Sequence, residues 1–123
     1  MLCVVDKDSF NEHVLHTRSM VLVNFWAWWS DECHTMSSLM RNVAHLLDEE
    51  DTIVQVDWDQ HKKLAQELEV FGVPTLLMYI CGREVARRSG TMSNDDLAKL
   101  IIEAKNREQN EWKHFESGQK NTS

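Results

Sequence analysis

Apolar positions along this 123-residue chain fall into alternating runs of two kinds. One kind is short and nearly continuous: Cys3–Val5, VLVNFWA at 21–27, TIVQVDW at 52–58 and TLLMYI at 75–80. Continuous runs of this length fit strands buried on both faces. The other kind recurs every three or four residues. Met36, Leu39, Met40, Val43, Ala44 and Leu47 predict a long helix beginning at Asp31, and HKKLAQELEV at 61–70 predicts a shorter one. Ser9-Phe10-Asn11-Glu12 has the form of a capping box and predicts a first helix reaching about Thr17. Ser93 caps a last helix with Leu97, Leu100, Ile101 and Ala104 turned inward.

Turn residues fix the remaining connections. Gly72 and Pro74 stand just ahead of the run at 75–80, and Cys81-Gly82 is a two-residue turn that folds REVARRS back onto it. The predicted order is β-α-β-α-β-α-β-β-α. The strands at 21–27 and 52–58, joined by a helix, should be parallel with a right-handed crossover. The final hairpin adds antiparallel strands, so the expectation is a three-layer α/β sandwich around a central mixed sheet of five strands flanked by four helices.

Residues 105–123, KNREQNEWKHFESGQKNTS, break the pattern, with only Trp112 and Phe115 apolar. We expect a domain over 1–105 and a polar C-terminal extension over 106–123, helical or disordered. Helical spacing at 97, 101, 104, 108, 112 and 115 favours a continued helix. The ordinary behaviour of chain termini favours a frayed, partly disordered tail, with a partner-binding extension that uses Trp112 and Phe115 as the alternative.

Composition narrows the partners. A formal net charge of -7 argues against nucleic acid and anionic membrane surfaces, both of which favour Lys/Arg-rich stripes. No apolar run approaches the roughly 20 residues of a membrane span. The N-terminal MLCVVDKDSF lacks a basic segment ahead of an apolar one, so no signal peptide is expected. Three cysteines at scattered spacings form no disulfide framework, which suits a reducing, cytoplasmic compartment. Cys33 and His34 are adjacent on a helix and point apart, with no ligand pair at helical spacing, so neither a metal nor another cofactor is expected.

The candidate chemistry lies in WAWWSDECHTM, residues 26–36. With VLVNFWAWW (21–29) leading into it, Cys33 within it, VPT at 73–75 after it and Gly90 in the last hairpin, the chain resembles the thioredoxin family over residues 3 to 105. The resemblance implies the thioredoxin fold. It also implies a protein-disulfide reductase ancestry, in which an exposed first cysteine attacks and a buried second one resolves. Ser30 stands at the position of the attacking cysteine, and Asp31-Glu32 replace Gly-Pro. Asn24 stands where the family has a buried aspartate that helps deprotonate the second thiol, and Gln55 where a lysine often partners that aspartate. Ser38 replaces a helix-kinking proline. WSDECHTM is also similar to the W-x-x-x-C-x-x-M of the thioredoxin-like domain in multidomain monothiol glutaredoxins.

Disulfide exchange needs an attacking thiolate and a second thiol to resolve the mixed disulfide. Ser30 supplies neither, but its hydroxyl can cap a helix by accepting the amide of Glu32 or Cys33, with Asp31 and Glu32 at the positive helix end. Cys33 is the only candidate thiol at the site. The helix end favours its thiolate, while Asp31, Glu32 and burial oppose it, so a sluggish thiol is expected. Cys81 lies about 20 Å away, at the far end of the strand 75–80, beyond the ~7 Å that a disulfide allows. The resemblance further places Trp29, Trp58, Val73, Pro74, Thr75 and Gly90 around the turn, where the family holds extended peptides. Trp28 and Phe71 either enlarge that surface or pack against the chain's own helices or tail.

Two functions follow as expectations. One is a thioredoxin-like protein of redox homeostasis or protein-folding pathways that binds protein or peptide clients and has lost dithiol reductase activity. The other is a single-thiol oxidoreductase in which Cys33 forms mixed disulfides with glutathione or client proteins.

Overall fold

The structure is a computed structural model that describes the backbone at residues 2–3 and 7–121 and side chains at 7–107. Its strands are β1 (Leu2–Cys3), β2 (Met20–Trp26), β3 (Thr52–Asp57), β4 (Thr75–Ile80) and β5 (Arg83–Ser89), in the sheet order β1-β3-β2-β4-β5. Four of them, six or seven residues long, form the body of the sheet. The expected first strand, Cys3–Val5, reduces to a two-residue edge pairing at Leu2 and Cys3, parallel to β3; residues 4 and 5 lie outside the described set. Strands β2 and β3 are parallel, whereas β4 runs antiparallel to both β2 and β5. This is the mixed sheet expected from the order of the apolar runs.

Four helical segments cover the sheet. Helix α1 (Lys7–Phe10) continues as a π-helical turn over Asn11–Leu15. Helix α2 (Asp31–Val43) ends in a 3-10 turn at Ala44–Leu46, α3 spans Lys62–Glu67, and α4 spans Asn94–Asn121. Strand alternation divides the core in two. Phe10, Val14, Leu64 and Ala65 from α1 and α3 pack on Val21, Val23, Phe25, Val54 and Val56. Met36, Met40, Leu97 and Ile101 from α2 and α4 pack on Met20, Leu22, Leu76 and Met78 on the other face.

Local differences from the expected elements have physical causes. Ser9 sits inside α1 rather than capping it, because Phe10 and Val14, four residues apart and both buried, set the helix phase. Helix α3 stops at Glu67, short of the predicted residue 70. Glu69 takes a φ of 57°, and the Val70 amide bonds back to Ala65 O at 2.8 Å, closing the helix in a left-handed turn. Ala44 is exposed, since the tighter 3-10 turn rotates it out of the α2 stripe. Helix α4 continues past residue 105, and the side chains of Trp112 and Phe115 lie outside the described residues.

Candidate functional site

Strand register brings four loops to one end of the sheet. Phe25 pairs with Thr75, Trp26 with Asp57, and Thr75 with Ser89. The segments 27–30, 58–61, 70–74 and 90–93 therefore meet at this end. Two backbone hydrogen bonds tie them together: the Trp58 amide donates to Trp26 O at 2.8 Å, and the Gly90 amide to Pro74 O at 2.8 Å. The Val73–Pro74 peptide is cis. Thr75 is buried and its hydroxyl donates to Gly72 O at 2.7 Å, closing the loop ahead of β4.

The start of α2 is a capped helix terminus. Ser30 has extended backbone angles, and its Oγ accepts the Cys33 amide at 3.3 Å. Of the two amides open to it by spacing, the hydroxyl takes the one three residues on. Asp31 and Glu32 are exposed in the first turn, where the helix dipole favours negative charge. Cys33 points inward and is 2% exposed, and its Sγ accepts the Ala27 amide at 3.4 Å. Its sulfur therefore lies beneath the turn rather than on its surface.

Asn24 lies on the same sheet face as the α2 core residues, fully buried. Its Nδ2 donates to Gln55 Oε1 at 2.9 Å, while its Oδ1 is buried without a protein partner. The pair is neutral and offers no carboxylate beneath the turn.

The surface above is aromatic. Trp28 is 68% exposed, Trp29 55% and Phe71 80%, which resolves the alternative for Trp28 and Phe71 in favour of surface. Trp58 and Val73 behave differently: both are half-buried and pack against the core on the α1/α3 face. Pro74 is buried and Gly90 half-buried, both flanking an open cavity of about 380 Å³ that Phe71, Gly72, Val73 and Ser89 also line. Sequence reasoning missed Asp59 and His34. The indole Nε1 of Trp29 donates to Asp59 Oδ2 at 2.9 Å, and His34 Nε2 lies 3.0 Å from Trp28 O. The signal for Asp59 was its place just after β3, which puts it at the same sheet end as residues 27–30.

It also missed how the groove loop is anchored. Arg87 on β5 donates to Leu68 O at 2.6 Å and Glu69 O at 2.8 Å, and its guanidinium pairs with both carboxylate oxygens of Glu84. The hydrogen bonds that Arg87 donates to Glu84 raise its pKa above the ordinary guanidinium value. The clamp satisfies carbonyls at the end of α3 and fixes the segment that carries Phe71. Among the described residues, no group of three His, Cys, Asp or Glu side chains could hold a metal ion. Among them, too, no helix is long and apolar enough to cross a membrane.

A mixed sheet between two helical layers, with a capped helix start facing a cis-proline loop, defines a thioredoxin fold. The sequence model of the Thioredoxin family matches residues 1–103, and the chain belongs to that family. It is 32% identical over 101 residues to thioredoxin from Chlamydia trachomatis, covering 82% of this chain and 96% of that one. It is 35% identical over 77 residues to thioredoxin from Griffithsia pacifica, covering 63% and 71%. Among solved structures, a mutant thioredoxin from Halobacterium salinarum superposes with a TM-score of 0.71 at 27% identity, covering 81% of this chain and 86% of that one.

Proposed function

We propose that this thioredoxin-family protein binds extended segments of client proteins at the loop end of its sheet, in redox or protein-folding pathways, and does not turn over dithiols. The observation that carries this reading is the contrast between Cys33, 2% exposed under a serine-capped turn, and the exposed Trp28, Trp29 and Phe71 around it. Ser30 provides a helix cap where the family resemblance places the attacking thiol. Trp29, Asp31, Glu32, Trp58, Val73, Pro74, Thr75 and Gly90 form or support the binding face; Trp58, Val73, Pro74, Thr75 and Gly90 do so from partly or fully buried positions. The unpaired thiols of Cys33 and Cys81 support a reducing, cytoplasmic setting.

The test is alkylation of native Cys33 with Cys3 and Cys81 changed to serine, read by intact mass with and without denaturant. Slow native labelling that becomes fast on unfolding is the expected result. Fast native labelling would reassign the protein as a single-thiol oxidoreductase acting through mixed disulfides with glutathione or clients.

A further inference from the structure

The exposed aromatic face is bordered by carboxylates. Asp31 and Glu32 open α2 beside Trp28 and Trp29, Asp59 bonds the Trp29 indole at 2.9 Å, and Glu69 precedes Phe71 by two residues. All four are exposed. Asp57, half-buried, accepts the Asp59 and Gln60 amides, adding a fifth acid at this end.

Most cations near the same end are engaged or line other hollows; Arg88 donates to Arg87 O and lines a hollow against α4. Arg87 is committed to Glu84 and two carbonyls. His34 contacts Trp28 O. Lys62 and Lys63 open α3, and Lys63 lines a separate hollow with Lys7, His61 and Glu67 against the α1/α3 layer.

From this pairing of exposed indoles with carboxylates we infer that the segment held here is cationic, with Lys or Arg interleaved with apolar side chains. Indole faces attract ammonium and guanidinium groups, and the flanking carboxylates add attraction of the same sign. The apolar side chains of such a segment cover Phe71 and enter the cavity beside Pro74. An acidic segment would meet repulsion from Asp31, Glu32, Asp59 and Glu69 together. The inference rests on the client-binding reading above and adds the chemistry of the client.

The experiment measures fluorescence anisotropy of short labelled peptides with Val or Leu at alternate positions and Lys, Gln or Glu between them. The full chain is compared with D31N/E32Q and with E49Q/E50Q, whose exposed acids lie beyond the opposite end of β3. The Lys peptide should bind about tenfold or more tighter than the Gln peptide, and the Glu peptide weakest. D31N/E32Q should lose about fivefold for the Lys peptide alone, and E49Q/E50Q little, since exposed charges act weakly and only at short range. Added salt should weaken the Lys peptide most. Equal binding of all three peptides would overturn the charge inference and leave client binding intact. Equal loss in both double variants would reduce it to net charge and overturn it as well. Absence of binding by any peptide, with or without concentration-dependent self-association of the chain, would overturn both readings.

Discussion

Asn24 Nδ2 donates a 2.9 Å hydrogen bond to Gln55 Oε1 across the parallel pair β2–β3, directly in register. Two neutral amides meet here, with Asn24 Oδ1 left without a protein partner, where the family resemblance places an acid. On the proposed reading, Asn24 and Ser30 depart from the family pattern at two separate places, one below the turn and one within it.

Ser30→Cys alone should therefore restore only weak disulfide reduction. The new thiol would sit at a helix start flanked by Asp31 and Glu32, with no carboxylate below to help Cys33 resolve the mixed disulfide. Adding Asn24→Asp should raise insulin reduction by about tenfold or more, short of the roughly 10²–10⁴-fold of a fully positioned base. Reduction by the single variant at the rate of an ordinary thioredoxin would contradict this account.

Gly82 governs the hairpin. Cys81 and Gly82 both have positive φ, 52° and 75°, as the two-residue turn requires. A Cβ at Gly82 would lie 2.3 Å from the Leu15 carbonyl oxygen, against backbone at the end of the π-helical turn. Gly82→Ala should cost about 2 kcal/mol or more, and lower Tm by roughly 5–10 °C. Gly90→Ala, with φ of 82° but open space around the added carbon, should cost distinctly less. Equal losses at the two glycines in thermal melts would mean that φ strain alone decides.

The hairpin also shows what the sequence could and could not reveal. Strand β4, the Cys81-Gly82 turn, β5 and the inward face of α4 were legible because burial and turn chemistry are local signals. The Ser30 cap was legible for the same reason. Helix α3 was predicted three residues too long, because its end depends on Arg87, nineteen positions beyond the Leu68 carbonyl it binds. The exposure of Trp28 and Phe71 was undecided, since aromatic residues at a loop pack or face solvent according to neighbours from other elements. Asp51 illustrates the same limit: nothing local distinguishes it from Asp48, Glu49 and Glu50, yet its side chain is 1% exposed.

Asp51 has three partners: the Met20 amide at 3.3 Å, the Asp48 amide at 2.8 Å and Lys105 Nζ at 2.5 Å. The ion pair links α4 to the start of β3 and joins the second core at its rim. Removing the ammonium leaves a buried carboxylate held only by amides. Lys105→Met, which keeps the apolar stem, should destabilise by about 1–3 kcal/mol in urea denaturation. Asp48 also contacts Lys105, at 2.6 Å, but is 63% exposed, so Asp48→Asn should cost about 0.5 kcal/mol or less. A larger effect at Asp48 than at Lys105 would refute this assignment.

Tyr79, the chain's single tyrosine, packs edge-on against Phe10 with ring centroids 6.1 Å apart and an interplanar angle of 82°. Burial, aided by the charge of Glu84 and opposed by Arg87, pushes its phenol up to about 12 from 10.0. The folded chain therefore holds this proton at pH values where the unfolded chain has released it. The associated stability is fully present below pH 10 and is lost as pH rises towards 12. Urea midpoints measured at about pH 9 and about pH 11 should fall more steeply for the native chain than for Tyr79→Phe, because lysine titration near 10.4 is common to both and cancels in the difference. Tyrosinate absorbance gives an independent reading, since no second tyrosine contributes: it should rise late in the folded chain and near the ordinary value once urea has unfolded it. Parallel slopes for the two chains, or tyrosinate appearing near pH 10 in the folded state, would show that the phenol is open to solvent despite its place in the α1 face of the core.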